Sequence, residues 1–156
     1  MKLQVRGAET FATTGGRPFV PEQPTIVFVH GAGMNRIVWY LQTRYFAHHG
    51  YTVLAVDLPG HGRSQGTVLG SVQELADWIP DLLDSAGVAK ATLVGHSMGS
   101  LIALESATRH PDRVSKLALL GVAPKMPVHP DLLNAAKADD PLAYELMMDW
   151  GTGQVG

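Results

Sequence analysis

The residues best suited to chemistry in this chain lie in the stretch LVGHSMGS, Leu93 to Ser100. Gly95-His96-Ser97-Met98-Gly99 fits the pattern G-x-S-x-G, with an apolar run before it and a helical pattern after it. A very sharp strand-to-helix turn forces the central serine into a strained backbone conformation, and small residues two positions to either side let neighbouring chains come close. Ser97 is then lifted at the carboxyl end of a strand, as a candidate nucleophile for acyl transfer. The next N–H, that of Met98, opens the helix and is a donor for a developing oxyanion. The competing reading makes Ser97 a small residue in a tight turn.

A second donor must come from the loop after a neighbouring strand. His30-Gly31-Ala32-Gly33 follows the run TIVFV, and the Ala32 N–H is the candidate partner of Met98. His30 and Gly31 are candidates for the lining of a substrate pocket, together with Met126 and Trp150 from an apolar helical stripe near the C-terminus. A third loop, Asp57-Leu58-Pro59-Gly60-His61-Gly62-Arg63-Ser64, reads as a Pro-Gly turn that walls and supports the site.

The elements that must position these groups follow from periodicity. Four nearly continuous apolar runs, 25–31, 51–57, 91–97 and 114–121, read as buried parallel strands. KLQVR and the segment around Phe11 supply one or two antiparallel edge strands. Val38 to His49 is a helix ended by Gly50. Ser71 with Glu74 forms a capping box that opens a second helix, closed by Gly87 and kinked at Pro80. A third helix follows Ser97 and stops at Pro111. Alternating strands and helices with right-handed crossovers imply an α/β fold with a doubly wound, mostly parallel sheet. From Ala123 onward four prolines and two short helical patterns replace the strand rhythm, which sets 1–122 apart from 123–156.

Composition narrows the function classes. Apolar residues make up 46% of the 156, and 17 Gly and 10 Pro punctuate periodic segments, as in a folded domain. Twelve Lys plus Arg against 14 Asp plus Glu leave a net charge of -2 with no basic stripe, so nucleic acid is not an expected partner. The absence of Cys removes disulfides and thiolate metal sites. No signal-like or membrane-spanning apolar stretch occurs, so the expected setting is cytoplasmic, with no membrane partner.

Taken together, VFVHGAG (27–33), VLAVDLPGHGRS (53–64), LVGHSMGS (93–100) and HPDRVSKLALLG (110–121) resemble the α/β-hydrolase fold family, in particular its lid-bearing, esterase-like and peptidase-like serine hydrolases. The resemblance runs from about residue 25 to 122. It implies that Ser97 is the nucleophile, that Ala32 and Met98 frame the oxyanion hole, and that 123–156 begins a helical cap after the sixth strand. It implies no cofactor and no metal, and a small ester or amide as substrate.

The same resemblance exposes a gap. The family order is Ser, then Asp or Glu, then His, and no seventh or eighth strand that would carry the last two is legible. After the sixth strand the sequence reads GVAP, without a carboxylate, and Asp131 is the nearest acid. Among seven histidines, His30, His48, His49, His61, His96 and His110 read as loop, strand-end or helix-end residues, and His129 alone has freedom to approach Ser97. The expectation is a hydrolase truncated within its cap, with the sixth strand left as an apolar edge open to self-association. A non-catalytic binding module, and a fragment completed in trans, are the alternatives.

Overall fold

Thr25–Val29 and Thr52–Val56 are buried at every residue, the signature of strands covered on both faces. With Lys2–Val5, Ala8–Thr13, Ala91–His96 and Val114–Leu120 they make the six strands β1 to β6 in chain order: β1 (2–5), β2 (8–13), β3 (25–29), β4 (52–56), β5 (91–96) and β6 (114–120). The computed structural model of the chain describes residues 1–123 and 125–152. The strands form one sheet in the order β1-β2-β4-β3-β5-β6. β1 and β2 are antiparallel, as is the β2–β4 pair, and β3, β4, β5 and β6 run parallel. Both N-terminal segments therefore become antiparallel strands, β1 at the sheet edge and β2 between β1 and β4, and the sheet is mostly parallel.

Helices cover both faces, as a doubly wound sheet requires. On one face α2 (Val72–Ser85) and α3 (Met98–Arg109) bury Leu75, Trp78, Ile79, Leu82, Ile102 and Ala103 against Val27, Val29, Leu54, Val56 and Leu93. On the other, α1 (Tyr40–His48) and the 3-10 turn Arg36–Trp39 before it pack Trp39 and Ala47 on Ile26, Phe28, Val53 and Ala55. The first helix thus enters through a 3-10 turn, because the Asn35 side chain accepts the Ile37 N–H at 2.9 Å.

At α2 the Ser71 hydroxyl accepts the Glu74 N–H, while the Glu74 carboxylate takes the N–H of Gly70 and not that of Ser71. The helix continues through Pro80. Proline deprives the Ala76 carbonyl of its donor; the Ser106 hydroxyl of α3 faces that carbonyl at 3.4 Å, though its proton serves the nearer Ile102 carbonyl at 2.7 Å. Asp77 of α2 accepts two bonds from Arg109 and one from His110, and these donors hold its carboxyl down from 3.8 to about 2. The pairing of α2 with the end of α3 therefore keeps its charge assistance until pH falls well below the ordinary Asp range.

The chain divides into two compact units, 1–122 and 123–156. The second contains α4 (Pro130–Lys137) and α5 (Leu142–Thr152), with Ala135 and Ala143 buried. Among the described residues no helix is long and apolar enough to cross a membrane.

β6 departs from the buried strand that its apolar run implies. Residues 115–118 and Leu120 are exposed, Leu117 to 37% and Leu120 to 44%. Among the described residues no strand pairs with its outer edge. Such an edge is a template for another chain. The 156-residue chain is expected to self-associate as its concentration rises, and Leu117→Lys is expected to weaken that association. Light scattering that returned a monomer at every concentration would remove the expectation.

Candidate active site

In the order β4-β3-β5, the chain leaves β3 toward β4 and leaves β5 toward β6. Loops that part in this way open a crevice at the carboxyl ends of β3 and β5. The 30–35 loop and Ser97 both lie at those ends.

Ser97 has φ 53 and ψ -121, a combination that a side-chain-bearing residue rarely adopts. Strain of this kind costs about 1–3 kcal/mol and persists only where the surroundings over-determine it. The surroundings here are backbone. A Cβ on Gly95 would run into the carbonyl of Gly99 and the N of Ser100, and a Cβ on Gly99 would run into the carbonyls of Val29 and His30. The two glycines of the motif therefore let the first turn of α3 lie directly on the ends of β5 and β3. The Ser97 N–H donates to Leu120 O at 2.9 Å, and Ser97 O accepts from Ser100 N at 2.9 Å.

Serine at a helix start ordinarily caps it through the hydroxyl. Ser97 occupies the cap position of α3 and makes no side-chain cap bond. The residue is half-buried, and its hydroxyl does not serve as the helix cap. Met98 is the first residue of α3, so no carbonyl of its own helix meets its N–H.

Gly31 touches the elbow: a Cβ built on it would lie 3.2 Å from the Cβ of Ser97 and 3.2 Å from the carbonyl of His96. Ala32 follows in a turn closed by Met34 N donating to Gly31 O at 3.3 Å, and it is exposed. His30, a pocket candidate and also a strand-end residue in the sequence, is bonded within its loop. It is fully buried, its Nδ1 bonds Gly31 O at 2.8 Å, and its Nε2 accepts the Leu58 N–H at 3.1 Å. Burial pushes the imidazole below its usual pKa, against the raising effect of the Gly31 carbonyl, so it is held neutral. With both nitrogens spent on backbone, the His30 side chain ties the β3 and β4 loops together and offers no polar atom to a ligand.

The loop after β4 is built around Asp57, which is fully buried. Its carboxylate accepts the N–H groups of Arg36 and Arg63, both at 2.8 Å, and pairs with the Arg36 guanidinium. Ser64 Oγ donates to Asp57 O at 2.7 Å and accepts the Phe11 N–H at 2.8 Å, and the guanidinium groups of Arg36 and Arg63 lie 4.6 and 4.1 Å from the Phe11 ring centroid. Sequence reading had assigned this loop a supporting role without its key partner, Arg36. No periodic signal marks an arginine that reaches back from a 3-10 turn.

Among the described residues no imidazole is hydrogen-bonded to Ser97. His49 bonds Tyr45 O, His61 bonds Pro59 O, and the one such pair in the first unit, His110 with Asp77, stands at the far end of α3. That helix has 12 residues, so about 18 Å separate the pair from the elbow. His129 and Asp131 belong to the second unit and approach each other there, Nδ1 to Oδ2 at 3.6 Å, with the His129 ring edge-on to Trp150 at 4.8 Å. Met126 lies in the same unit.

Strain at Ser97 has a thermodynamic consequence. Glycine adopts positive φ without penalty, so Ser97→Gly is expected to be more stable than Ser97→Ala by about 1–3 kcal/mol in denaturant unfolding. Equal stabilities of the two variants would mean that the elbow stores no strain.

Comparison with known proteins agrees with this geometry. Residues 24–154 match the model of the alpha/beta hydrolase fold family. The chain is 37% identical over 100 residues to an (E)-2-((N-methylformamido)methylene)succinate hydrolase of Acinetobacter baylyi, covering 64% of this chain and 38% of that protein. It is 38% identical over 117 residues to a pimeloyl-[acyl-carrier protein] methyl ester esterase of Vibrio cholerae, covering 70% of this chain and 44% of that one. Among solved structures, a bacterial membrane phospholipase A aligns with TM-score 0.74 and 31% identity, over 91% of this chain and 46% of its own. The chain thus spans less than half the length of these relatives. With the family model matched over residues 24–154, the chain belongs to the alpha/beta hydrolase fold family.

Proposed function

We propose that this chain carries the nucleophile and oxyanion site of a serine hydrolase acting on small ester or amide substrates. One observation carries the reading: Ser97 is held at φ 53 at the carboxyl end of β5, with its hydroxyl not used as a helix cap. Ser97 Oγ attacks the substrate carbonyl carbon, and the N–H groups of Met98 and Ala32 take up the negative charge that develops on the carbonyl oxygen. The hydroxyl proton passes through a base to the leaving oxygen or nitrogen as its bond to carbon breaks, and water then releases the acid from the acyl-serine. Esterase activity is named for the Vibrio cholerae relative, and a carboxylesterase is among the solved neighbours at 25% identity and TM-score 0.73, which favours esters over amides.

The base and its carboxylate are not assigned within 1–122. His129 and Asp131, and Met126 and Trp150 as apolar lining, remain sequence-based candidates from 123–156, the segment that the family resemblance reads as the start of a cap. A non-catalytic module that retains the elbow is the second reading, favoured by the absence of an imidazole on Ser97 among the described residues.

A fluorophosphonate probe tests the proposal. Prompt labelling that Ser97→Ala abolishes is expected if the base lies in this chain. Labelling that appears only after a C-terminal segment of a family member is added would place the base there. No labelling under either condition would overturn the nucleophile assignment in favour of the binding module.

A further inference from the structure

Ser100 lies in the first turn of α3 and is fully buried. Its Oγ is 2.7 Å from Gly95 O and 2.9 Å from Leu120 O, and it accepts the Leu120 N–H at 3.0 Å. A hydroxyl has one proton and two acceptor lone pairs, so Ser100 receives Leu120 N–H and delivers its proton to one or other of the two carbonyls. Helical serine and threonine hydroxyls ordinarily bond the carbonyl four residues back. Ser106 and Thr108 of the same helix do so, onto Ile102 and Leu104. Ser100 instead reaches out of its helix, to the end of β5 and to the end of β6.

Those two ends enclose the strained residue. Leu120 O, one acceptor of the Ser100 proton, also accepts the Ser97 N–H at 2.9 Å, and Ser97 O accepts the N–H of Ser100 itself at 2.9 Å. One hydroxyl therefore links the strand before Ser97, the helix after it and the neighbouring strand that holds its N–H. An alanine would fill nearly the same space, so packing alone does not call for the hydroxyl. We infer that Ser100 is a positioning residue for the elbow: its hydroxyl fixes the end of β6 to the β5–α3 turn and so fixes the direction in which Ser97 Oγ is presented. The effect on reactivity rests on the reading of Ser97 as a nucleophile, whereas the effect on the backbone does not.

Amide hydrogen exchange in the full 156-residue chain, measured for the parent, Ser100→Ala and Ser100→Cys, tests the inference. Loss of one hydrogen bond of ordinary strength is expected to speed exchange at Leu120 and Ser97 by about tenfold in Ser100→Ala, with Val27 and Leu54 unchanged. Cysteine fills at least the space of serine but is a weak acceptor as well as a weak donor, so Ser100→Cys is expected to exchange like Ser100→Ala. Unchanged exchange at Leu120 and Ser97 in Ser100→Ala, or parent-like exchange in Ser100→Cys, would overturn it. Fluorophosphonate labelling separates this from the functional reading. In a parent that labels, Ser100→Ala is expected to lower the labelling rate at saturating probe by about tenfold while leaving the half-saturating probe concentration as it was. Equal saturating rates would overturn the positioning role with the nucleophile intact; a parent that never labels, even with an added C-terminal segment, counts against the nucleophile while exchange still decides the role of Ser100.

Discussion

The first turn of α3 rests on the carbonyls of Val29 and His30 through Gly99, and on the end of β5 through Gly95. The geometry of Ser97 follows from that contact. A helix brought so close leaves too little chain between β5 and α3 for an ordinary connection, so Ser97 takes φ 53. The same closeness makes Met98 the first residue of α3 directly after Ser97, and Gly31 lies against the serine. The strained backbone of Ser97 is a by-product of packing between backbones, at Gly95 and Gly99, where no side chain can be accommodated.

The neighbouring loops are rigid for a different reason. Asp57 and His30 are fully buried polar groups, and each meets backbone N–H or carbonyl partners as well as one another's loop. A buried carboxylate is tolerable only when paired and hydrogen-bonded, and Arg36 with two N–H groups meets that demand. The cost of leaving any of these groups unpaired is what pins the loops after β3 and β4. The site thus combines a strained turn with walls that cannot relax around it.

Much of this was legible in the sequence. Continuous apolar runs marked β3 and β4 because burial on both faces removes polar alternation, and G-x-S-x-G between a strand and a helix marked the elbow because the turn requires those glycines. What stayed hidden was long-range and polar. Arg36 meets Asp57 across 21 residues and Ser100 meets Leu120 across 20, and neither leaves a periodic trace. His30 read both as a pocket candidate and as a strand-end residue hydrogen-bonded within its loop; the fold shows the loop bond to Gly31 and adds the Leu58 N–H, a partner with no trace in the sequence. The apolar run of β6 suits two covered faces, while its place at the sheet edge, which the family resemblance implied, leaves 115–118 exposed.

The central claim is that contact between α3 and the strand ends, permitted by glycine, imposes the geometry of Ser97. Denaturant unfolding of Gly99→Ala tests it most directly. The new Cβ would meet Val29 O closer than Cβ atoms approach in proteins, and the account expects a loss of stability of at least about 1–3 kcal/mol, the usual cost of overpacking. A Gly99→Ala chain within about 0.5 kcal/mol of the parent, as for a change at an unconstrained surface, would contradict it.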